Sequence, residues 1–83
     1  MKSTYITKGT CARSIEIELE DGIIRSVRFN GGCDGNLQGV SRLVEGMPAA
    51  EAVQRLKGIR CGRKSTSCPD QLAQALEQAI GAE

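Results

Sequence analysis

The stretch Ser14-Ile15-Glu16-Ile17-Glu18-Leu19-Glu20-Asp21-Gly22-Ile23-Ile24 decides the fold class. Up to Glu20 it alternates polar and apolar residues, placing Ile15, Ile17 and Leu19 on one face and glutamates on the other. Period 2 of this kind reads as a strand with one face buried and one in water. Asp21-Gly22 follows at once, a pair suited to the positive φ angles of a tight hairpin turn. The return strand runs from about Ile23 to Asn30, with Val27 and Phe29 toward the core. Arg25 and Arg28 then come within range of the glutamates opposite. Ile23-Ile24 interrupts the alternation, so a bulge or twist is expected beside the turn. Upstream, Thr4 to Thr7 predicts a short third strand at an edge, and Lys8-Gly9-Thr10 turns the chain into Cys11.

Beyond the hairpin the period changes. Leu37, Val40, Leu43, Val44 and Met47 recur at spacings of three and four, one apolar stripe of a helix. Asp34 or Asn36 is suited to cap its start, and Gly46 to end it. Pro48 fits the first turn of a second helix with Ala49, Val53 and Leu56 inward and Gly58 at its end. A third helix carries Leu72, Ala73, Leu76 and Ile80, with Pro69 in its first turn. Ser67 and Asp70, three apart, resemble a capping box. Strands first and helices after predict an α+β fold: an antiparallel hairpin or three-stranded sheet with three helices on one face. No repeat, linker or low-complexity tract divides residues 1–83, so a single domain is expected.

Composition narrows the chemistry. The chain has 83 residues, two aromatics (Tyr5 and Phe29) and no Trp, so its small core rests on aliphatic side chains. A net charge of +1 gives no overall pull toward nucleic acid or a membrane surface. The absence of His excludes imidazole-based triads and His-ligated zinc. No apolar run is long enough to span a bilayer, and the start Met1-Lys2-Ser3-Thr4-Tyr5 lacks a signal-peptide core. A cytoplasmic location is expected, and there four cysteines point to metal or redox chemistry rather than structural disulfides.

All four cysteines fall at the ends of elements. Cys11 precedes the long strand, Cys33 opens the first helix, Cys61 follows the second, and Cys68 opens the third. Helix N-termini favour negative charge, which suits a ligating thiolate at Cys33 and Cys68. Gly31, Gly32 and Gly35 allow close backbone approach around Cys33. Four thiolates without His fit a closed tetrahedral Zn²⁺ site made by Cys11, Cys33, Cys61 and Cys68. Two other readings stand beside it: cysteines as small core hydrophobes, and a reversible dithiol of Cys61 with Cys68. The cations Arg55, Lys57, Arg60, Arg63 and Lys64 are read as solvated surface or as charge that offsets the thiolates. Nucleic-acid binding is disfavoured, because stacking aromatics are missing. Glu16, Glu18 and Glu20 lie on one open strand face and form no enclosed catalytic pair.

Thr66-Ser67-Cys68-Pro69-Asp70 spells TSCPD, and together with Gly31-Gly32-Cys33-Asp34-Gly35-Asn36 and Cys61-Gly62 the chain resembles the TSCPD domain family. That resemblance implies a stand-alone relative of the C-terminal domain of vitamin B12-dependent (adenosylcobalamin, class II) ribonucleotide reductases. It implies a four-cysteine metal site, and a ribonucleotide reductase catalytic chain as partner. The order of cysteine, strand, acidic turn, strand, Phe-x-Gly-Gly-Cys and helices is also similar to NifU-like iron–sulfur cluster scaffolds. On that pattern Cys11, Cys33 and Cys68 match the three scaffold cysteines. Arg13 stands where the scaffold carries an Asp ligand, and Cys61 has no counterpart.

The expected function is a small metal-binding module with structural zinc, which would tie the hairpin to two helix starts. The alternatives are an iron–sulfur cluster binding or transfer protein on the same cysteines, and a dithiol partner that re-reduces a ribonucleotide reductase. A chain this short has no room for a radical site, a nucleotide pocket and a cofactor together. Independent ribonucleotide reduction is therefore not expected.

Overall fold

The computed structural model describes residues 1–10, 12–32 and 34–82, and for Asp34 its backbone. Among them, three strands form one antiparallel sheet in the order β1 (Lys2–Ile6), β2 (Ala12–Glu20), β3 (Ile23–Gly31). Three helices follow: α1 (Asp34–Val44), α2 (Ala49–Leu56) and α3 (Cys68–Ala82). This is the α+β arrangement that the change of period predicts. β2 is central, with the edge strand β1 on one side and β3 on the other.

The hairpin turn is the two-residue kind. Asp21 has φ 54° and Gly22 φ 76°, so both central residues are left-handed, and the turn's twist matches that of the strands it joins. The bulge expected beside it is present. Glu18 faces Ser26 while Leu19 faces Ile24, which leaves Arg25 as the extra residue. Arg25 and Ser26 therefore both point to solvent while Ile24 and Val27 both point inward. From the bulge Arg25 reaches Glu20 at 3.2 Å. A second register shift, which the alternation gave no reason to expect, lies between Ala12 and Ser14 at the other end of β2.

The inward face of the sheet supplies Ile15, Ile17, Leu19, Ile24 and Val27 to the core. Leu72, Ala75, Leu76 and Ala79 of α3 pack onto it, with Ala49 and Ala52 of α2 and Val44 of α1. α3 lies against β2 and β1, α2 against α3, and α1 against β3. The small residues of α2 and α3 face each other, so the two helices approach closely without aromatic filler. The segment between α1 and α2 clamps the outer edge of β3. Gly46 N–H donates to Ile24 C=O at 2.7 Å, and Ile24 N–H to Met47 C=O at 3.0 Å. Ala49 N–H bonds Gly22 C=O at 2.8 Å, so α2 begins on the hairpin turn itself.

The helix stripes need three corrections. Leu43 does not join the α1 stripe but is 77% exposed, while Leu37 and Val44 are buried and Val40 and Met47 half-buried. Positions 37, 40 and 44 follow one line along α1, with Met47 just beyond its end, and Leu43 falls off that line. Ile80 is likewise 40% exposed, because Ala79 takes the inward position after Leu72, Ala75 and Leu76. Asn36 lies within α1 rather than capping it; capping by the Asp34 side chain lies outside the described residues.

These placements give a paired test. Leu76 is fully buried, so Leu76→Ala should cost about 2–5 kcal/mol, read as a lower urea midpoint. Leu43→Ala should leave the stability within roughly 0.5 kcal/mol of the parent. A large loss at Leu43 would contradict the orientation of α1.

Candidate functional site

The site expected from the sequence is four cysteines at element ends. Cys68 is the first residue of α3 and is buried, at 9% exposure. Cys61 lies in the loop between α2 and α3 and is exposed. Cys11 and Cys33 lie outside the described residues. Among the described residues, no group of three His, Cys, Asp or Glu side chains comes together as a metal site.

The described neighbours of the two remaining cysteines do converge. Ala12 pairs with Gly31 across β2 and β3. A Cβ on Gly32 would stand 2.8 Å from Leu37 Cδ1 and 3.1 Å from the Ala12 backbone nitrogen. Gly32 also has φ 83°, so both its conformation and its close approach to Ala12 call for glycine. Ala12, Leu37 and Cys68 then form a buried cluster of their own, with Phe29 packed against it. Phe29 touches the main core as well, so the one phenylalanine joins the two clusters. The start of β2, the end of β3 and the first turn of α3 thus meet around Cys68.

Cys61 is brought to the same end by hydrogen bonds. Its N–H donates to Thr66 C=O at 3.1 Å, and its C=O accepts from Lys64 N–H at 3.1 Å. Thr66 in turn belongs to a buried polar group at the start of α3. Ser67 Oγ accepts the Asp70 N–H at 3.1 Å, the helix-capping bond, and donates to Ile59 C=O at 2.6 Å. The Asp70 carboxylate accepts from Gly58 N–H at 2.7 Å, from the Thr66 hydroxyl, and from Gln74 Nε2 at 3.0 Å. Gln71 Nε2 donates to Thr66 Oγ1 at 3.0 Å and its carbonyl accepts Lys8 N–H at 3.0 Å. Tyr5 Oη donates to Gln74 Oε1 at 3.2 Å.

This network corrects the capping-box expectation in part. Ser67 caps the helix, but the Asp70 carboxylate is directed into the α2–α3 loop. The sequence alone does not reveal this network. The available signal was a cluster of polar residues, Thr66, Ser67, Asp70 and Gln71, at the start of a helix whose other inward positions are apolar; all four are buried. The basic residues are split. Arg55 pairs with Glu51 and Lys57 with Glu77, each at 3.1 Å, whereas Arg60, Arg63 and Lys64 stand exposed on the loop that carries Cys61.

Asp70 is held below the ordinary carboxylate range. The Thr66 hydroxyl is the largest cause, followed by the Gly58 N–H; burial opposes them, and the Gln74 amide and the Lys57 charge add to the lowering. A lowered folded-state value means that Asp70 adds stability above the unfolded value of ~3.9, stability that is lost as pH falls through the lowered value. Asp70→Asn should therefore destabilise the fold by about 1–3 kcal/mol near neutral pH. The difference from the parent should narrow as pH falls below ~4. Urea unfolding across that range checks the sign, and a gap that widens in acid would contradict it.

The TSCPD domain model matches residues 1–80. No curated protein and no solved structure matches the chain. Thr66, Ser67 and Asp70 of the signature anchor the loop, and Cys68 sits where the three chain segments meet. The chain belongs to the TSCPD domain family.

Proposed function

We propose that this chain is a metal-binding module in which Cys11, Cys33, Cys61 and Cys68 hold one metal ion, zinc being the ion that four thiolates without imidazole suit best. The observation that carries the reading is the convergence on Cys68. Ala12 beside Cys11 and Gly32 beside Cys33 approach each other so closely that a Cβ on Gly32 would meet Ala12 at 3.1 Å, and Ala12 packs with Cys68 in one buried cluster. The donor set fits the metal in chemistry as well. Four thiolates around Zn²⁺ leave a charge of about −2, and the exposed Arg60, Arg63 and Lys64 beside Cys61 offset it.

With four protein ligands no position stays open for a substrate, so the metal would supply cross-linking rather than catalysis. It would join the starts of β2, α1 and α3 with the α2–α3 loop. That suits a chain whose core holds few large side chains. The likeness to the C-terminal domain of adenosylcobalamin-dependent ribonucleotide reductases supports an accessory role beside such a catalytic chain. A second reading, an iron–sulfur cluster on the same cysteines, is favoured by the exposure of Cys61, because a cluster that is passed on must be reachable from solvent.

Elemental analysis and a visible spectrum of protein purified anaerobically without chelator distinguish the two. One zinc per chain in a colourless sample is the expected outcome, and iron with charge-transfer bands would turn the assignment to a cluster. Cys11→Ser and Cys68→Ser should each lower both the metal content and the melting temperature. Full retention of both properties in either variant would overturn the four-ligand site.

A further inference from the structure

The α2–α3 loop has almost no apolar hold on the rest of the molecule. Residues 57–65 are all exposed, and the one large hydrophobic among them, Ile59, is 42% exposed. A segment with so little burial opens easily unless polar contacts fasten it. Here they do, and they converge on one carboxylate. Asp70 takes the N–H of Gly58 where the loop begins and the hydroxyl of Thr66 where it ends. Ser67 Oγ holds Ile59 C=O, and Thr66 C=O holds Cys61 N–H at 3.1 Å. Cys61 is thus suspended from Thr66, and Thr66 from Asp70. Gln71 and Gln74 brace the same two residues from α3.

We propose that Asp70 and Thr66 are positioning residues for Cys61: they latch the α2–α3 loop to the start of α3, so that the exposed cysteine is held beside the end of the molecule where Cys68 lies. The role in metal retention rests on the four-cysteine reading above; the latch itself does not. A cysteine on a loose arm must be ordered each time it binds, and that entropy weakens its contribution. A latched arm has already been ordered on folding, so Cys61 adds its full share. Asp70 and Thr66 act only through Cys61 and touch no metal.

The test combines two measurements on Thr66→Val, Asp70→Asn and the conservative Thr66→Ser. In metal-free protein, amide exchange at Gly58 and Cys61 should accelerate about tenfold or more in Thr66→Val, with Thr66→Ser close to the parent. In a zinc competition against a chromophoric chelator, Thr66→Val and Asp70→Asn should each lose about tenfold to a hundredfold in affinity. In a Cys61→Ser background the same two substitutions should cause no further loss, because the ligand they position is gone. Unchanged exchange at Gly58 and Cys61 would overturn the latch. An equal loss of zinc affinity with and without Cys61 would overturn the positioning role and leave general destabilisation in its place. If the parent binds no zinc, the metal reading fails, and amide exchange alone decides the latch. Should Asp70→Asn not fold, Thr66→Val carries both measurements with the carboxylate intact.

Discussion

A single buried carboxylate ties together parts of this molecule that apolar packing leaves separate. Asp70 accepts hydrogen bonds from the loop before α3 through Gly58 and Thr66, and from α3 itself through Gln74. Gln74 carries the connection on to Tyr5 of the edge strand β1, and Gln71 carries it to Lys8. A buried charge is tolerated only where its acceptor sites are filled. Among the described residues, no buried side-chain nitrogen or oxygen of the molecule lacks a partner. The start of α3, where loop, helix and β1 meet, is therefore fastened by directional bonds rather than by oily contact.

The remainder of the fold rests on a core of a different character. Its fully buried large side chains are Ile15, Leu19, Ile24, Leu72 and Leu76, all aliphatic, and α2 contributes alanines. Such a core specifies layer spacing well but leaves the periphery thinly covered. The structure compensates at the hairpin end by backbone bonds from Gly46, Met47 and Ala49 to β3 and its turn. At the opposite end the polar group around Asp70 serves, beside the small cluster of Ala12, Leu37 and Cys68. The hairpin mixes the acidic residues Glu16, Glu18, Glu20 and Asp21 with Arg13, Arg25 and Arg28, while Arg60, Arg63 and Lys64 gather near Cys61.

Much of this was legible in the sequence because it depends on local period. The alternation from Ser14 to Glu20, the Asp21-Gly22 turn and the bulge signalled by Ile23-Ile24 all reappear as geometry. The helices were legible for the same reason, except where one residue decides which side of a stripe is inward, as at Leu43 and Ile80. What could not be read is long-range pairing. Nothing in the spacing of Gly58 and Asp70 says that an amide and a carboxylate twelve residues apart will bond. The capping-box pattern suggested a local use for Asp70 and concealed the distant one. At the site, chain order placed Cys68 at the start of α3 and Cys61 in the loop after α2. It did not tell that Cys68 would be buried and Cys61 exposed, since that depends on how β2 and β3 close over the first turn of α3.

The division of labour inside Thr66-Ser67-Cys68-Pro69-Asp70 has a consequence for what the signature string means. Three of its five side chains secure a loop to a helix, and only one carries a sulfur. A chain with Thr, Ser and Asp at these places and another small residue for Cys68 would keep the hydrogen bonds that anchor the loop and still be recognisable as kin, yet lack the thiol. Kinship and thiol content are therefore separate inheritances. The string is a record of anchoring, and the chemistry of any one bearer has to be read from all its cysteines.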